Sequence, residues 1–595
     1  MEKTNDKKRI LALMFFMALV LAACSNGSNE GSEDAIYSIE DFSQDSSTEG
    51  EAIDGGTLNF GLVTDTPFEG TLNFNFYSGT FDNEIIKWFD ESLLSVDKNH
   101  NYTQDGAATF EVSEDHRTFT FTIRDDVNWH DGEPVKAEDW AYAIEVIGHP
   151  DYDGPRYDSS FRNIEGMEEY HQGDTDSISG LEVVDEKTLK ITYIEGTPSL
   201  LAGGIWPYAL PKHIFEEIPV EDMSASDAVR KNPIGFGPFK VDSIVPGESV
   251  SMTANEDYWQ GVPKLDGVTV KVVNPQTVVQ ALKSGDVDVV DSFPADQYAD
   301  VEAELTNVEF LGTVDMSFSY IGFKLGTWDK EAQEVKPNPD AKMADINLRR
   351  AMWYAVDNDA VAKQFYHGLR WNANTLIPPS HPDYHDSSIK APTYDPEKAN
   401  QILDEAGYVD VNNDGMRENP DGEELVINFA SMSSGDIAEP LTNYYIQSWE
   451  KVGLNVQLLD GRLIEFNSFY DKVGQNGNDD PAVDIYQGAW SVATDVDPSG
   501  LYGRQSIFNF SRYASEENDR LLKEGLSEEA FDLEYRQEVF NKWQQLMVDE
   551  IPVFPTLYRA ILVPINNRVV NYSIGADFMG FHEIGVTQEK PYKAE

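Results

Sequence analysis

The sequence has one cysteine, Cys24, among its 595 residues, so no disulfide can form within the chain. Stability therefore has to come from a buried core, which 41% hydrophobic residues supply easily in a chain of this length. Cysteine counting also argues against thiol chemistry in the folded body, because Cys24 lies directly after an N-terminal apolar run. The length favours several domains or one large body of several lobes.

Basic residues are scarce: 44 Lys and Arg stand against 105 Asp and Glu, which gives a formal net charge of −61 at pH 7. Phosphate backbones are bound by clustered Lys and Arg, so this balance argues against a nucleic-acid partner. The excess of carboxylates favours a strongly hydrated surface over a surface that attracts cationic ligands. Such a surface suits saline or alkaline water, because salt shortens the range of charge repulsion.

Long apolar runs are also rare, and the clearest one covers residues 10–21. A helix of that length spans roughly 18 Å, which is too short for the ~30 Å of hydrocarbon in a bilayer. Lys7, Lys8 and Arg9 precede the run and small residues follow it, an order typical of a secretory signal peptide over residues 1–23. The ending Leu-Ala-Ala-Cys resembles a bacterial lipobox, which implies a lipidated Cys24; the alternative is a stray thiol in a cleaved leader.

The segment after the predicted cleavage site, residues 24–56, is rich in Ser, Gly, Asn, Asp and Glu. That composition predicts a flexible acidic tether, because it offers little apolar surface to bury. The folded body is expected to begin near Thr57.

Two distant segments predict βαβ units. The first has a β-branched strand at residues 268–273, a helix, and a strand at residues 287–290. The second has a strand at residues 425–429, a helix at residues 441–452 and a strand at residues 454–459. Their separation predicts two α/β lobes rather than one continuous sheet.

Recognisable catalytic motifs are missing. His582-Glu583 begins like a zinc-binding helix but lacks the second histidine, and the ten histidines are scattered. We therefore predict no catalytic cofactor. A Ser-His-Asp triad assembled from distant positions stays open as an alternative.

Six segments, in this order, resemble the oligopeptide/dipeptide-type extracellular solute-binding proteins (family 5) of ABC importers. They are residues 119–139, 232–240, 255–265, 281–288, 348–357 and 490–498. In the first of these segments, the alternation of Phe119, Phe121 and Ile123 predicts a half-buried strand. The resemblance extends over roughly residues 57–564. It implies an α/β fold, a two-lobed periplasmic-binding-protein-like clam shell with an extra domain inserted in the first lobe. The expected division is lobe I at 57–95, 205–312 and 556–595, the inserted domain at 96–204, and lobe II at 313–555.

The resemblance also implies a function. The protein is expected to be a monomeric receptor, not an enzyme, that binds oligopeptides between its lobes and delivers them to the permease and ATPase subunits of an importer. Its expected place is the outer face of a bacterial cell membrane, held there only by the lipid anchor. The alternatives are another solute for the same fold, such as a dipeptide, glutathione or an oligosaccharide, and an extracellular carboxylate hydrolase.

A carboxylate shortly after Trp490 is implied to hold the α-amino group of the ligand peptide. Asp495 is the first choice, because Asp497 precedes a proline and suits a turn. Ser491 and Val492 are expected, together with Trp490, to supply main-chain contacts.

Two further residues are weaker candidates for the cleft. Tyr320 lies in a segment that the resemblance places near the ligand. Lys324 either neutralises a ligand carboxylate or is simply solvated, and the sequence favours the second interpretation.

The loop at residues 410–421 has the spacing of an EF-hand calcium loop, with Gly415 at its sixth position. The alternative is an acidic turn in an acidic protein, since the segment after the loop reads as a strand. The predicted oxygen ligands of a structural Ca²⁺ are Asp410, Asn412, Asp414, Met416 through its carbonyl, Glu418 and Asp421.

Overall fold

The computed structural model describes residues 36–433 and 437–594. The predicted signal peptide, Cys24 and the first part of the predicted tether lie outside the described residues. In the part of the chain that is described, no helix is both long and apolar enough to cross a membrane.

The strands are β1 (Thr57–Val63), β2 (Ala108–Val112), β3 (Thr118–Ile123), β4 (Leu181–Val183), β5 (Thr188–Thr192), β6 (Phe239–Val245), β7 (Ser249–Ala254), β8 (Gly267–Val273), β9 (Val289–Val290), β10 (Val308–Phe323), β11 (Gly326–Asp329), β12 (Glu334–Pro337), β13 (Arg370–Asn372), β14 (Val426–Ala430), β15 (Asn455–Leu458), β16 (Ile485–Ser491), β17 (Val553–Asn566), β18 (Val569–Val570) and β19 (Gly585–Val586).

The α-helices are α1 (Thr80–Phe89), α2 (Ala137–Gly148), α3 (Ser159–Arg162), α4 (Met167–His171), α5 (Lys212–Phe215), α6 (Val220–Met223), α7 (Asp227–Arg230), α8 (Val278–Ser284), α9 (Tyr298–Val301), α10 (Ile346–Tyr354), α11 (Asn358–Tyr366), α12 (Pro396–Glu405), α13 (Ala438–Glu450), α14 (Phe466–Val473), α15 (Ser499–Tyr502), α16 (Glu516–Glu524) and α17 (Leu533–Glu550).

Both predicted βαβ units are confirmed. Strands β8 and β9 flank β1 and run parallel to it, with α8 between them in sequence. Strands β14 and β15 pair in parallel, with α13 between them in sequence. The apolar spacing explains these helices: Val278 and Leu282 are buried in α8, and Leu441 and Tyr445 in α13.

The prediction of two separate sheets is wrong. One 11-stranded sheet has the order β15-β14-β16-β10-β17-β9-β1-β8-β7-β6, with β13 paired to β17 off this path. The two halves are joined by the antiparallel pair β10 and β17, which are 16 and 14 residues long. Strands of that length can run out of one lobe and into the other, so they connect two lobes that otherwise have separate cores.

The inserted domain contains a four-stranded antiparallel sheet of order β2-β3-β5-β4. The alternation predicted for its second strand is observed, since Phe119, Phe121 and Ile123 are buried beneath Trp140 and Ile144 of α2. The same apolar cluster continues to Phe236 through helices α5 to α7. Packing therefore groups residues 205–236 with the inserted domain rather than with lobe I.

Residues 36–56 differ from the flexible tether that their composition predicts. Phe42 packs edge-on against Tyr298, with ring centroids 5.4 Å apart. The backbone N–H of Ile53 donates to the Val586 carbonyl at 2.9 Å. A few apolar anchors and strand-like backbone bonds thus fasten this stretch to lobe I, although its average composition is polar.

Candidate functional site

The loop that follows β16 lies where lobe II faces the inserted domain. One cavity, of about 210 Å³, is lined by residues 376–378, His381 and much of the stretch 491–502. A second, of about 590 Å³, is lined by residues of the inserted domain between 158 and 204 and by residues 493–500. Asp495 and Asp497 border both cavities, so the two predicted carboxylates lie together at the boundary between lobe II and the domain inserted in lobe I.

Asp495 already has a cationic partner. Its Oδ1 accepts a hydrogen bond from Nη2 of Arg536 at 2.9 Å, and both side chains are largely shielded from water. Arg536 belongs to α17, and its Nε donates to the Gly525 carbonyl at 3.1 Å. The guanidinium also lies 5.6 Å from the ring centre of Tyr384 and 5.4 Å from that of Phe540. These contacts hold the guanidinium in place without a ligand.

Asp497 forms no ion pair with the residues that the structure describes, although the charge of Arg536 acts on it from nearby. Its Oδ1 accepts from the backbone N–H of Ser499 at 3.0 Å and from the Ser499 hydroxyl at 2.6 Å, which is the turn geometry expected for this position. Burial, reinforced by the nearby carboxylate of Asp495, raises the pKa of Asp497 to about 6. Two carboxylates and one guanidinium therefore meet at this loop, which leaves an unbalanced negative charge near neutral pH.

The remaining predicted ligand residues divide into two groups. Ser491 and Val492 line the smaller cavity. Trp490 is half-buried and stacks on Phe510, with ring centroids 5.2 Å apart. Tyr320 is only 2% exposed and lies in the core of lobe II, parallel to Trp490 at 6.3 Å. The structure therefore does not place Tyr320 at the cavities, because β10 is covered on both faces at that point.

Lys324 matches neither interpretation offered by the sequence. It is 8% exposed, and its Nζ lies 2.5 Å from Oδ1 of Asp479, which also accepts from Nε of Arg512 at 2.9 Å. Further bonds run from Lys324 Nζ to the carbonyls of Val473 and Phe510 at 3.1 and 2.8 Å. Burial lowers the pKa of Lys324 to about 8. This lysine is part of a buried ion-pair network, not a solvated or ligand-facing group.

His381 is a site residue that sequence reasoning missed. Its ring borders the smaller cavity and meets His100 of the inserted domain edge-on, with centroids 5.7 Å apart. The Nε2 atom of His100 lies 3.3 Å from the Ser380 carbonyl. Burial, followed by the effect of His100, lowers the pKa of His381 to about 4. The two histidines thus form an aromatic contact between the inserted domain and lobe II, in which His381 is neutral near pH 7.

Other contacts close the same boundary. His116 stacks on Phe531 with centroids 3.8 Å apart, and the hydroxyl of Thr494 donates to the Ala202 carbonyl at 3.5 Å. Since residues from both sides of the cleft touch, the described conformation has the two sides together.

The predicted calcium loop is well ordered by hydrogen bonds. Asp410 accepts from the backbone of Gly415 at 2.9 Å, as the tight turn requires. The amide nitrogen of Asn412 donates to Asp414 Oδ2 at 3.1 Å and to Glu418 Oε1 at 2.7 Å. The side chains of Asn412, Asp414 and Glu418 therefore converge, with an amide group between two carboxylates.

The other two predicted ligands, Met416 and Asp421, take part in turns through their backbone. The backbone N–H of Met416 donates to Asp414, and that of Asp421 donates to Asn419 in the next turn. Within the described ranges, no group of three or more His, Cys, Asp or Glu side chains is placed to hold a metal ion. Calcium binding stays a prediction.

Comparison with known proteins identifies the family of the chain. The family model described as "Bacterial extracellular solute-binding proteins, family 5 Middle" matches residues 101–511. The chain belongs to this family. The predicted two-lobed α/β fold is confirmed by the same comparisons. Family members are solute-binding receptors rather than enzymes.

Individual relatives are similar over most of the chain. The oligopeptide-binding protein OppA of Lactococcus lactis subsp. cremoris (strain SK11) is 32% identical over 510 residues, 84% of each chain. The oligopeptide-binding protein AppA of Bacillus subtilis (strain 168) is 25% identical over 549 residues, which cover 90% of this chain and 91% of AppA. The structure of lactococcal OppA complexed with an endogenous peptide in the closed conformation has a TM-score of 0.78 and 30% identity, and covers 89% of this chain and 100% of that one.

Proposed function

We propose that this protein binds oligopeptides between its lobes and presents them to an ABC importer. The observation that carries the proposal is the unbalanced negative charge of Asp495, Asp497 and Arg536 at a cavity boundary. An α-ammonium group is the cation that every unmodified peptide carries, and it would supply the missing charge. The names of similar proteins, oligopeptide-binding proteins OppA and AppA, support the same cargo.

The hydrogen bonds of the two aspartates also change which carboxylate is expected to matter most. Asp495 was preferred from the sequence, but its charge is already opposed by Arg536 at 2.9 Å. Asp497 lies beside it without a cation of its own. We propose that the ligand amine lies against both carboxylates and that Asp497 provides the uncompensated charge. Burial strengthens such an interaction, because water screens it less.

The direct experiment is to purify the protein without denaturation and then to unfold it. The small molecules that it releases are identified by mass spectrometry. We expect intact peptides with free α-amino groups. Release of a different solute would move the cargo to another class within the family. Incubation of the native protein with those peptides should return them uncleaved, whereas cleavage products would favour the hydrolase alternative.

The importer partner and the lipid anchor belong to the same proposal. A receptor for a permease and its ATPase has to stay near the membrane, and lipidation of Cys24 would keep this monomer there. Replacement of Cys24 by Ala should then release the folded protein into the culture medium. Retention of the C24A variant at the membrane would contradict the anchor.

A structural Ca²⁺ in the loop at residues 410–421 is a second proposal, supported by the convergence of Asn412, Asp414 and Glu418. The amide of Asn412 would have to rotate so that its oxygen faces the ion. Millimolar Ca²⁺ should raise the melting temperature relative to EGTA, and the Asp414→Asn variant should lose that rise. Equal melting temperatures with Ca²⁺ and with EGTA would exclude the site.

A further inference from the structure

Arg536 occupies a position from which it controls the charge of the proposed amine site. Its Nη2 donates to Asp495 Oδ1 at 2.9 Å and lies 3.4 Å from the hydroxyl of Ser199 in the inserted domain. The side chain is 3% exposed and is held by Gly525 and by two aromatic rings that do not depend on any ligand. The guanidinium is therefore a fixed part of lobe II.

The groups around the Asp495 carboxylate can be counted at neutral pH. Asp497 and Arg536 each bring one charge, of opposite sign. His381 is neutral, because burial lowers its pKa to about 4. Burial also raises the pKa of Tyr384 and of Tyr102, which face the same carboxylate, so both phenols keep their protons. The net charge is one negative unit.

We infer that Arg536 leaves the site one positive charge short of neutrality. The single α-ammonium group of a peptide then neutralises the site without exchange of a proton. The inference rests on the proposed function and adds a positioning residue to it. Without the guanidinium, two neighbouring carboxyl groups would share a buried boundary. Such pairs retain a proton far above the usual carboxyl range, because both members cannot ionise side by side.

We therefore predict the number of protons released when the peptide binds, in addition to an effect on affinity. In the Arg536→Met variant, the retained proton should be displaced by the incoming ammonium, so peptide binding should release close to one proton. In the wild-type protein the guanidinium has already displaced that proton, so the protein itself should release almost no proton at pH 7.5. A loss of packing alone would lower affinity without creating this release.

The experiment is calorimetry at pH 7.5 in buffers of different ionisation enthalpy, with a synthetic peptide of the sequence found by mass spectrometry. At this pH the free peptide amine takes up about 0.3 proton on binding as an ammonium group, with every protein alike. The releases given below are those of the protein, after this common uptake has been added back. Four proteins are compared: wild type, Arg536→Lys, Arg536→Met and the double variant Asp495→Asn, Arg536→Met. We expect near-zero release for wild type and for Arg536→Lys, which keeps the charge. Release should approach one proton for Arg536→Met and return to near zero in the double variant, which again has one carboxylate, Asp497.

Arg536→Met and the double variant both lack the arginine, so they share any loss of packing that its removal causes. Their comparison therefore stays decisive even if Arg536→Met binds weakly. Equal proton release by wild type and Arg536→Met would overturn the inference, as would unchanged release in the double variant relative to Arg536→Met. Failure of the proposed function is a different result: no peptide would be found by mass spectrometry, and the wild-type protein would not bind one. A peptide with an acetylated α-amino group should show no release with any of the four proteins.

Discussion

Two clusters of charged side chains in lobe II contain carboxylates and cations in opposite proportion. The first combines one carboxylate, Asp479, with two cations, Lys324 and Arg512. The second, at the cavities, combines two carboxylates, Asp495 and Asp497, with one cation. In the first cluster the excess N–H groups are satisfied by backbone carbonyls of the protein itself.

The difference lies in what completes each cluster. Lys324 donates to Val473 and Phe510, and Arg512 donates to the carbonyls of Ile507 and Gly474 at 2.7 and 2.6 Å. The carboxylates of the second cluster border open space instead. We infer that the first cluster stabilises the lobe, and we propose that the second is left incomplete for a ligand. Each prediction below tests that distinction.

The largest expected effect is on folding. The Asp479→Ala variant would strand two buried cations, and removal of one partner from a buried ion pair costs about 3–5 kcal/mol. Its free energy of unfolding, measured with urea, should fall by that amount. The matched variant, Asp497→Asn, removes a buried charge that lacks a cation, so its stability should be unchanged or higher. Equal losses in the two variants would abolish the distinction between the clusters.

The next effect is on binding. The Asp497→Asn variant leaves Asp495 paired with Arg536, so the site becomes neutral and loses its attraction for an ammonium group. Affinity for a peptide with a free α-amino group should fall by about 2–5 kcal/mol, as for other buried charged partners. Calorimetry should also show that the N-acetylated peptide binds the variant and the wild type equally. Undiminished affinity for the free amine would assign the role to another residue.

The smallest expected effect is the pH dependence of closure. His381 is neutral where the two sides meet, with a pKa near 4, and should regain its ordinary value of about 6.5 when the cleft opens. Opening then takes up a proton in acid, so affinity should fall as pH drops from 7 to 5, by about 20-fold from this group alone. Protonation of Asp497 should add to the same acid loss, since we propose that its charge attracts the ligand.

The His381→Gln variant separates these two contributions, because glutamine cannot be protonated and Asp497 is retained. Its affinity should decline less steeply than that of the wild type over the same pH range. Parallel pH profiles would show that the contact between His100 and His381 does not respond to acid in this way.

Much of the framework could be predicted because the signals are local. Apolar periodicity located α8, α13 and both βαβ units, and the alternation at residues 119–123 located a strand of the inserted domain. The position of Asp495 and Asp497 at the boundary of the lobes followed from the family resemblance. Each of these features depends on residues that are close together in the sequence.

The parts that could not be predicted depend on distant partners. Arg536 reaches Asp495 from a different helix, and His381 meets a histidine 281 positions earlier in the chain. Lys324 looked solvated because nothing near it in sequence reveals Asp479. The continuity of the sheet likewise arises from the pairing of β10 with β17, which are separated by most of lobe II.

The central claim is that the boundary between the lobes holds the amino end of a peptide. Calorimetry on the wild-type protein with one peptide, synthesised with a free and with an acetylated α-amino group, tests it most directly. Acetylation removes the positive charge and leaves the rest of the peptide unchanged. We predict a loss of about 2–5 kcal/mol on acetylation. Equal affinities for the two peptides would contradict the account.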